Sequence, residues 1–228
     1  WAPDGNSIYV AIVNREQNEM SLNQYSANDG SLMKTLFTQK HPKYVEPQNG
    51  PLFVPNSTTD FIWQSNLEGF NHLYLYSKGI LTKITKGNWE VTSYYGLDEK
   101  NKTIYYQSVE NGSINRDIYK INLNGKNKVR LSKATGTNSA TFSPNFQFYI
   151  NSFSSATVPP TFTLNESKSG KLAQTIVSNE SVVEKLKAFD LPTKDYFVLK
   201  TEKGNDLNAW MIKPKDFDAK KKYPVFMY

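Results

Sequence analysis

The chain has 228 residues, of which 38% are hydrophobic, 14% are aromatic and 21% are charged, and it contains no cysteine. This composition is typical of a folded globular protein and excludes a disordered chain, disulfide bonds, thiolate nucleophiles and cysteine-based zinc sites. The formal charge of +6 comes mainly from scattered lysines, with residues 220–222 as the one tight run, so no nucleic-acid partner is expected.

Short β-forming runs, separated by turns rich in Asn, Asp, Gly, Lys and Ser, occupy the chain from Trp1 to about Thr175. No apolar run reaches the roughly 18 residues that a membrane-spanning helix needs, so no membrane span is predicted in this chain. The predicted strands cover, in chain order, residues 7–13, 20–25, 32–37, 51–54, 60–65, 72–76, 81–84, 91–97, 103–108, 117–123, 129–132, 140–142, 146–153, 161–164 and 172–175.

Turns recur along these strands with a regular period. Turns at Pro3, Pro55, Asp98 and Pro144 lie about 43 to 52 residues apart, which is typical of the four-stranded blades of a β-propeller. We therefore predict an all-β fold with about four blades that form part of a larger ring. A β-sandwich with irregular strands is the alternative. Because residues 1–5 resemble the interior of a folded domain, we also expect the chain to be a piece of a longer protein.

The pattern changes after residue 177. Residues 180–189 predict the only helix, with Ser178 or Asn179 as its N-cap and Pro192 beyond its end. The apolar positions at helical spacing are Val182, Val183, Leu186 and Phe189.

Further strands are predicted after the helix, at residues 196–200, 207–212 and 223–228. These strands are the opening part of a second domain, which remains incomplete in this chain. The predicted division is therefore a propeller portion at residues 1–177, followed by a linker helix and the start of the second domain at residues 178–228.

The residues that nucleophilic catalysis requires do not form a recognisable set. A serine hydrolase needs a Gly-x-Ser-x-Gly nucleophile elbow, and the chain contains none. The serines that follow Gly30 and Gly112 are expected in polar turns. The two histidines, His41 and His72, are each expected to have a structural or surface role. We predict no catalytic residue in this chain and assign no substrate-binding residue.

Metal and cofactor sites are not predicted either. Two separated histidines without cysteine lack the ligand spacing that zinc or copper requires. Asp4 and the pair Asp216 and Asp218 fit turns better than calcium loops. No glycine-rich phosphate loop occurs.

Aromatic side chains are concentrated in the middle of the chain. Aromatic and β-branched side chains fill the flat faces of sheets that stack on one another. We predict that most of these rings pack between blades and do not form a platform for bases or sugars. The rings concerned are Tyr94, Tyr95, Tyr105, Tyr106, Phe142, Phe146, Phe148 and Tyr149.

Two segments carry a family resemblance. Residues 63–76 combine an aromatic strand, a Glu-Gly turn and a His-Leu-Tyr strand, and residues 81–91 end in Trp-Glu-Val. Residues 213–217 and 221–225 contain Lys-Pro-x-Asp-Phe and Lys-Lys-Tyr-Pro-Val. In this order the segments resemble the dipeptidyl peptidase IV family of prolyl oligopeptidase-type serine peptidases. The resemblance covers essentially the whole chain.

The resemblance implies the C-terminal half of a propeller of about eight blades, followed by the first strands of an α/β-hydrolase domain. It implies a parent enzyme that removes dipeptides with Pro or Ala in second position from peptide N-termini, without a cofactor. The catalytic triad and the oxyanion-stabilising tyrosine would follow Tyr228, and the acidic pair that holds the substrate amine would precede Trp1. The parent is expected to be a periplasmic or extracellular homodimer of bacterial origin, and the fragment alone is expected to be inactive.

Two other interpretations remain open. The parent could be a non-catalytic propeller that binds proteins, because a fold does not imply an activity. It could also be a related prolyl endopeptidase or acylaminoacyl peptidase, which would lack the upstream acidic pair. A downstream Gly-x-Ser-x-Gly elbow with a later Asp and His would favour a peptidase over the binding protein.

Overall fold

The computed structural model describes residues 1–189 and 191–227, which form four successive antiparallel sheets, one helix and a final two-stranded sheet. In each of the four sheets the strands pair in chain order, so each sheet is a meander. The first sheet contains β1 (Ser7–Val13), β2 (Glu19–Ser26) and β3 (Leu32–Lys40). The second contains β4 (Leu52–Phe53), β5 (Phe61–Ser65), β6 (His72–Ser77) and β7 (Ile80–Lys83). The third contains β8 (Val91–Asp98), β9 (Thr103–Ser108), β10 (Asp117–Asn122) and β11 (Val129–Arg130), and the fourth contains β12 (Thr137–Phe142), β13 (Phe148–Ser154), β14 (Thr161–Glu166) and β15 (Leu172–Val177).

The core lies between neighbouring sheets. Successive side chains of a strand point to opposite faces, so one strand contributes to two cores. Phe61 and Trp63 of β5 pack with Met20 of the first sheet. Ile62, between them, packs with Ile104 and other residues of the third sheet. This stacking confirms the predicted blade architecture, and every strand predicted before the helix is present as β1 to β15.

Aromatic rings fill the contact between the third and fourth sheets, as predicted. The Tyr105 ring stacks on Phe146 with a centroid distance of 5.4 Å and an interplanar angle of 4°, and it lies 4.5 Å from Phe142. Tyr149 is fully buried in the same cluster. Phe148 is the exception, because its side chain is 40% exposed.

The helix α1 (Glu180–Lys187) begins where predicted but is capped differently. Asn179 is the N-cap residue, yet it has a left-handed backbone with φ of 57° and makes no side-chain capping hydrogen bond. Its side-chain amide instead donates to the carbonyl of Pro160, in the loop between β13 and β14 of the fourth sheet. The predicted N-cap position is therefore confirmed, although the side-chain hydrogen bond that usually accompanies an Asn cap is absent. No residue of α1 is buried, and Val182, Val183 and Leu186 of its apolar face remain 37–40% exposed.

The final sheet is a hairpin of β16 (Lys194–Lys200) and β17 (Asp206–Ile212), as the sequence predicts. The strand predicted at residues 223–228 is wrong for the described part, because residues 213–227 form no strand. Val225 and Phe226 are 85% and 91% exposed. A strand needs a paired edge for its N–H and C=O groups, and no described strand pairs with this segment. Tyr228 lies outside the described residues. Within them, no helix has the length and apolar character that crossing a membrane requires.

Candidate functional site

The segments that connect the strands lie at two opposite ends of the sheets, because the strands are antiparallel. At one end, the turns between strands of one sheet lie next to the segment that connects that sheet to the following one. The backbone hydrogen bonds that join them run from His41 N to Asn18 O, from Val91 N to Asn71 O and from Arg116 N to Gly136 O. We call this end the loop end; it comprises residues 14–18, 41–51, 66–71, 84–90, 109–116, 131–136 and 155–160.

A buried polar residue begins the third strand of two neighbouring sheets at the loop end. His72 begins β6 and Asp117 begins β10, and each pairs across the sheet with a serine. His72 Nδ1 lies 3.0 Å from Thr85 Oγ1, and Asp117 Oδ1 accepts a 2.7 Å hydrogen bond from Ser132 Oγ. In both sheets the same hydroxyl also accepts the next backbone N–H of the strand. These donors are Leu73 and Ile118.

Asp117 has its charge satisfied inside the protein. Arg130 Nη2 donates to its Oδ1 at 2.8 Å, and Asn111 Nδ2 donates to its Oδ2 at 3.1 Å. The Asp117 residue is 1% exposed. Because both oxygens are occupied and no solvent reaches them, this carboxylate holds strands together and is not available to a substrate.

His72 forms the one imidazole–hydroxyl pair among the described residues, yet it cannot act as a catalytic base. Its Nε2 donates to the Gly87 carbonyl at 2.9 Å, so Nδ1 is unprotonated and accepts from the Thr85 hydroxyl. Burial lowers the pKa of His72, and the hydrogen bond to Gly87 opposes that shift. His72 and Thr85 are 0% and 1% exposed, so a substrate cannot reach the pair. His72 therefore has a structural role.

A glutamine connects each of two sheets to the next at the loop end. Gln64 Nε2 donates to Val91 O at 3.3 Å, and Gln107 Nε2 donates to Asn138 O at 2.6 Å. Both glutamines are nearly fully buried, and each acceptor lies in the first strand of the following sheet. The sequence interpretation missed this contact. The signal was the repeated Gln-Ser dipeptide at the ends of β5 and β9.

A groove of about 810 Å³ opens between the fourth sheet, α1 and the end of β17. One wall is the loop at residues 154–160, and the other is the apolar face of α1 with the segment at residues 191–194. The apolar lining residues are Ala156, Val158, Pro159, Pro160, Val182, Val183, Leu186, Leu191, Pro192 and Ile212. The groove lies within the volume range of ligand pockets, but it contains no convergent set of charged groups.

The other residues considered from the sequence lie in turns. His41 Nδ1 accepts from the backbone N–H of Lys43 at 3.2 Å. Asp4 Oδ1 accepts from Asn6 N, and Asp218 Oδ1 accepts from Lys220 N. Among residues 1–189 and 191–227, no three His, Asp or Glu side chains come together as metal ligands would.

The hairpin touches the loop end directly. Asn208 Nδ2 of β17 donates to Ser113 Oγ of the loop at residues 109–116, with a distance of 2.6 Å. The Ser113 hydroxyl therefore serves a contact across the two parts of the chain, in addition to the turn role expected from the sequence. The loop end is thus the side on which the linker, the helix and the hairpin gather.

Sequence comparisons connect this architecture with known proteins. Residues 1–160 match the family described as the dipeptidyl peptidase IV (DPP IV) N-terminal region. The chain is 35% identical over 165 residues to dipeptidyl peptidase 4 of Arthroderma otae and 34% identical over 165 residues to that of Trichophyton rubrum. Each match covers 71% of this chain and 21% of the relative, so the chain spans about a fifth of the length of these relatives.

A solved structure shows the same arrangement. The crystal structure of Porphyromonas gingivalis dipeptidyl peptidase 4 superposes with a TM-score of 0.86 at 35% sequence identity, over 96% of this chain and 31% of that chain. The superposition therefore extends beyond residue 160 and includes most of the segment after the four sheets. From the matched family region, the sequence identity and the shared architecture, the chain belongs to the dipeptidyl peptidase IV family.

Proposed function

We propose that the whole protein is a serine-type dipeptidyl peptidase that removes X-Pro and X-Ala dipeptides from the N-termini of peptides. The observation that carries this proposal is the match of residues 1–160 to the dipeptidyl peptidase IV N-terminal region, together with relatives named dipeptidyl peptidase 4. The chain contains no nucleophile elbow. Its part in catalysis is therefore to shape the path of the substrate.

In this proposal, residues 1–177 are propeller, and residues 178–228 are the linker helix and the start of the hydrolase domain. The position of the linker supports this division. Residues after β15 leave from the loop end, and Asn208 of the hairpin contacts Ser113 at that same end. The hydrolase domain then lies over the loop end, with the active site between the two domains.

A propeller in this position covers the active site. Peptides reach the chemistry only through openings between or along the blades, so folded proteins are excluded. Excluding bulk water also strengthens the electrostatic stabilisation of the acyl-transfer transition state. The triad and the acidic pair lie outside this chain in the proposal, and no metal or other cofactor takes part. The protein works as a homodimer in the periplasm or outside the cell.

The test compares the full-length protein with residues 1–228 at equal concentration, using Gly-Pro and Ala-Pro chromogenic dipeptides. We expect hydrolysis by the full-length protein and none by the fragment. An inactive full-length protein would favour the binding-propeller interpretation. Activity in the fragment would contradict the location of the triad.

A substitution at the contact between the two parts tests the role of the loop end. In the full-length protein, Ser113→Ala removes the acceptor of the Asn208 amide, whereas Ser31→Ala alters a turn in which Ser31 Oγ bonds to Asp29 at the opposite end. If the loop end faces the active site, Ser113→Ala raises KM or lowers kcat by about twofold to tenfold, the scale of one net hydrogen bond. Ser31→Ala should leave both unchanged. Equal effects of the two substitutions would contradict the placement.

A further inference from the structure

Aromatic rings converge on one lysine ammonium in the third sheet. Lys128 Nζ lies 5.3 Å from the centroid of the Trp89 ring and 6.0 Å from that of Tyr119. The Tyr106 ring is nearly parallel to both, at 6.4 Å and 7° from Trp89 and at 5.5 Å and 17° from Tyr119. Ammonium groups within about 6 Å of such ring faces are attracted by the negative face of the π-system.

A carboxylate completes the cluster. Glu110 Oε1 accepts a hydrogen bond from Lys128 Nζ. The other carboxylate oxygen, Oε2, is buried and has no hydrogen-bond partner among the described residues. The Tyr106 hydroxyl is likewise buried without a partner among them. Two buried polar atoms of the cluster therefore have no hydrogen-bond partner among the described residues.

The lysine of the cluster lies partly at the surface. Lys128 comes just before β11, which has only two residues, both exposed. Its side chain is 37% exposed, whereas Tyr106 and Tyr119 are 0% and 4% exposed. Two of the four surrounding side chains are thus buried, whereas Lys128 precedes the edge strand and takes part in no strand pairing, so its side chain can move without disturbing the sheet.

We propose that Trp89, Tyr106, Tyr119 and Glu110 form a binding site for an alkylammonium group, which Lys128 closes as a tethered occupant. These four side chains determine the class of ligand, because ring faces and one carboxylate favour a positive charge carried by an apolar surface. Primary amines and methylated ammonium groups meet that description. Phosphates, carboxylates and neutral polar ligands do not.

Because Lys128 is part of the chain, its ammonium group competes with any free ligand for the site. A tethered ammonium competes at an effective concentration in the millimolar range or above. A free amine therefore binds weakly while Lys128 is present and more tightly once it is removed.

The test measures binding by calorimetry in the full-length protein, and it does not depend on peptidase activity. The variant Lys128→Ala opens the site, and Lys126→Ala, in the exposed turn before it, is the matched control. The probes are choline and its neutral isostere 3,3-dimethyl-1-butanol. In Lys128→Ala we expect saturable choline binding that is about tenfold tighter than binding of the isostere. In the wild type and in Lys126→Ala we expect no such saturable choline binding.

A double variant shows whether the choline binding occurs at the proposed site. Adding Glu110→Gln to Lys128→Ala should abolish the choline binding or weaken it about tenfold, since the carboxylate is lost. The proposal is overturned if Lys128→Ala is folded and binds no choline, if the isostere binds equally well, or if Glu110→Gln has no effect.

A second measurement uses the wild-type protein and remains decisive if Lys128→Ala does not fold. Lysines are reductively methylated with ¹³C-formaldehyde, and the Lys128 signal is assigned by its loss in Lys128→Arg. We expect the Lys128 methyl signal upfield of those of the exposed lysines, because it lies over the Trp89 and Tyr119 rings. A Lys128 signal at the position of the exposed lysines would overturn the proposal.

Discussion

His72 occupies a position at which the sheets on either side place a carboxylate. Glu19 begins β2, His72 begins β6 and Asp117 begins β10. Glu19 pairs with Lys40 at 2.9 Å on the surface, whereas Asp117 pairs with Arg130 from a fully buried site. His72 serves the same position without a charge, because both of its ring nitrogens bond to neutral groups. In all three sheets this position carries a polar side chain that bonds to a neighbour, but whether that side chain is charged differs from sheet to sheet.

The buried neutral state of His72 predicts a loss of stability in acid. The pKa of His72 is lowered by burial in the folded protein, whereas in the unfolded chain it is about 6.5. Between these two values the unfolded state binds more protons, so the free energy of unfolding falls as the pH drops below about 6.5 and levels off below the folded pKa. Urea unfolding at several pH values, followed by tryptophan fluorescence, measures this dependence.

The substitution His72→Gln separates this effect from other titrations. We expect a loss of about 1–3 kcal/mol at pH 8 from weakened buried hydrogen bonds, together with a smaller pH dependence below 6.5. His41→Gln, which removes the other histidine from a partly exposed turn, is the matched control. An unchanged slope in His72→Gln would show that another group causes the acid sensitivity.

At the scale of elements, the sheets are held in register by close contacts at which only glycine fits. Gly96 lies in β8, at an irregularity in its pairing with β9. Its φ is 145°, and a Cβ atom there would lie 2.5 Å from the Phe146 ring of the next sheet. That ring cannot move freely, because it stacks on Tyr105. The approach of β8 to the fourth sheet therefore depends on the absence of a side chain.

The substitution Gly96→Ala should destabilise the stack by about 1–3 kcal/mol through overpacking, with backbone strain in addition. Gly50→Ala is the control, because a Cβ atom at Gly50 would meet nothing within 4 Å and its φ is not in the left-handed region. The measurement is the shift in the urea midpoint at constant slope. A Gly96→Ala midpoint that equals that of Gly50→Ala would contradict the close contact.

At the scale of the whole molecule, the described chain leaves apolar surface and a sheet edge uncovered. One face of the hairpin carries Phe197, Leu199, Leu207 and Met211, which are 36–52% exposed. The β1 strand pairs only with β2, so its other edge is open among the described residues. Open edges and apolar faces promote association.

We therefore expect residues 1–228, prepared as a separate chain, to associate as the protein concentration rises. Light scattering after gel filtration measures the mass, and the full-length protein is the reference. The pair Leu199→Lys and Met211→Lys should reduce the association because it charges the apolar face, whereas Glu202→Lys in the hairpin turn should not. A monomer at all concentrations, with a sharp thermal transition, would contradict this expectation.

The elements could be predicted from the sequence because their signals are local. Alternating side chains and turn residues identify β5 and β9, and the turn period identifies the blades. The strand predicted at residues 223–228 was wrong over its described part, because a strand depends on a partner strand from elsewhere in the fold. Residues 223–227 have no described strand beside them. The N-cap position at Asn179 was predicted correctly, but its contact with Pro160 was not, because Pro160 lies 19 residues earlier in the chain.

The sequence by itself determined the all-β blade architecture, the position of the helix and the family, since turn chemistry, periodicity and motifs are properties of neighbouring residues. Only the tertiary structure decided which side chains meet. It paired Gln107 with Asn138, buried His72 against Thr85, and brought Lys128 to Trp89. These residues are separated along the chain by 13 to 39 positions. The physical reason is that neighbouring sheets stack through side chains from both of their faces. The contacts at the loop end therefore form only when the sheets have assembled.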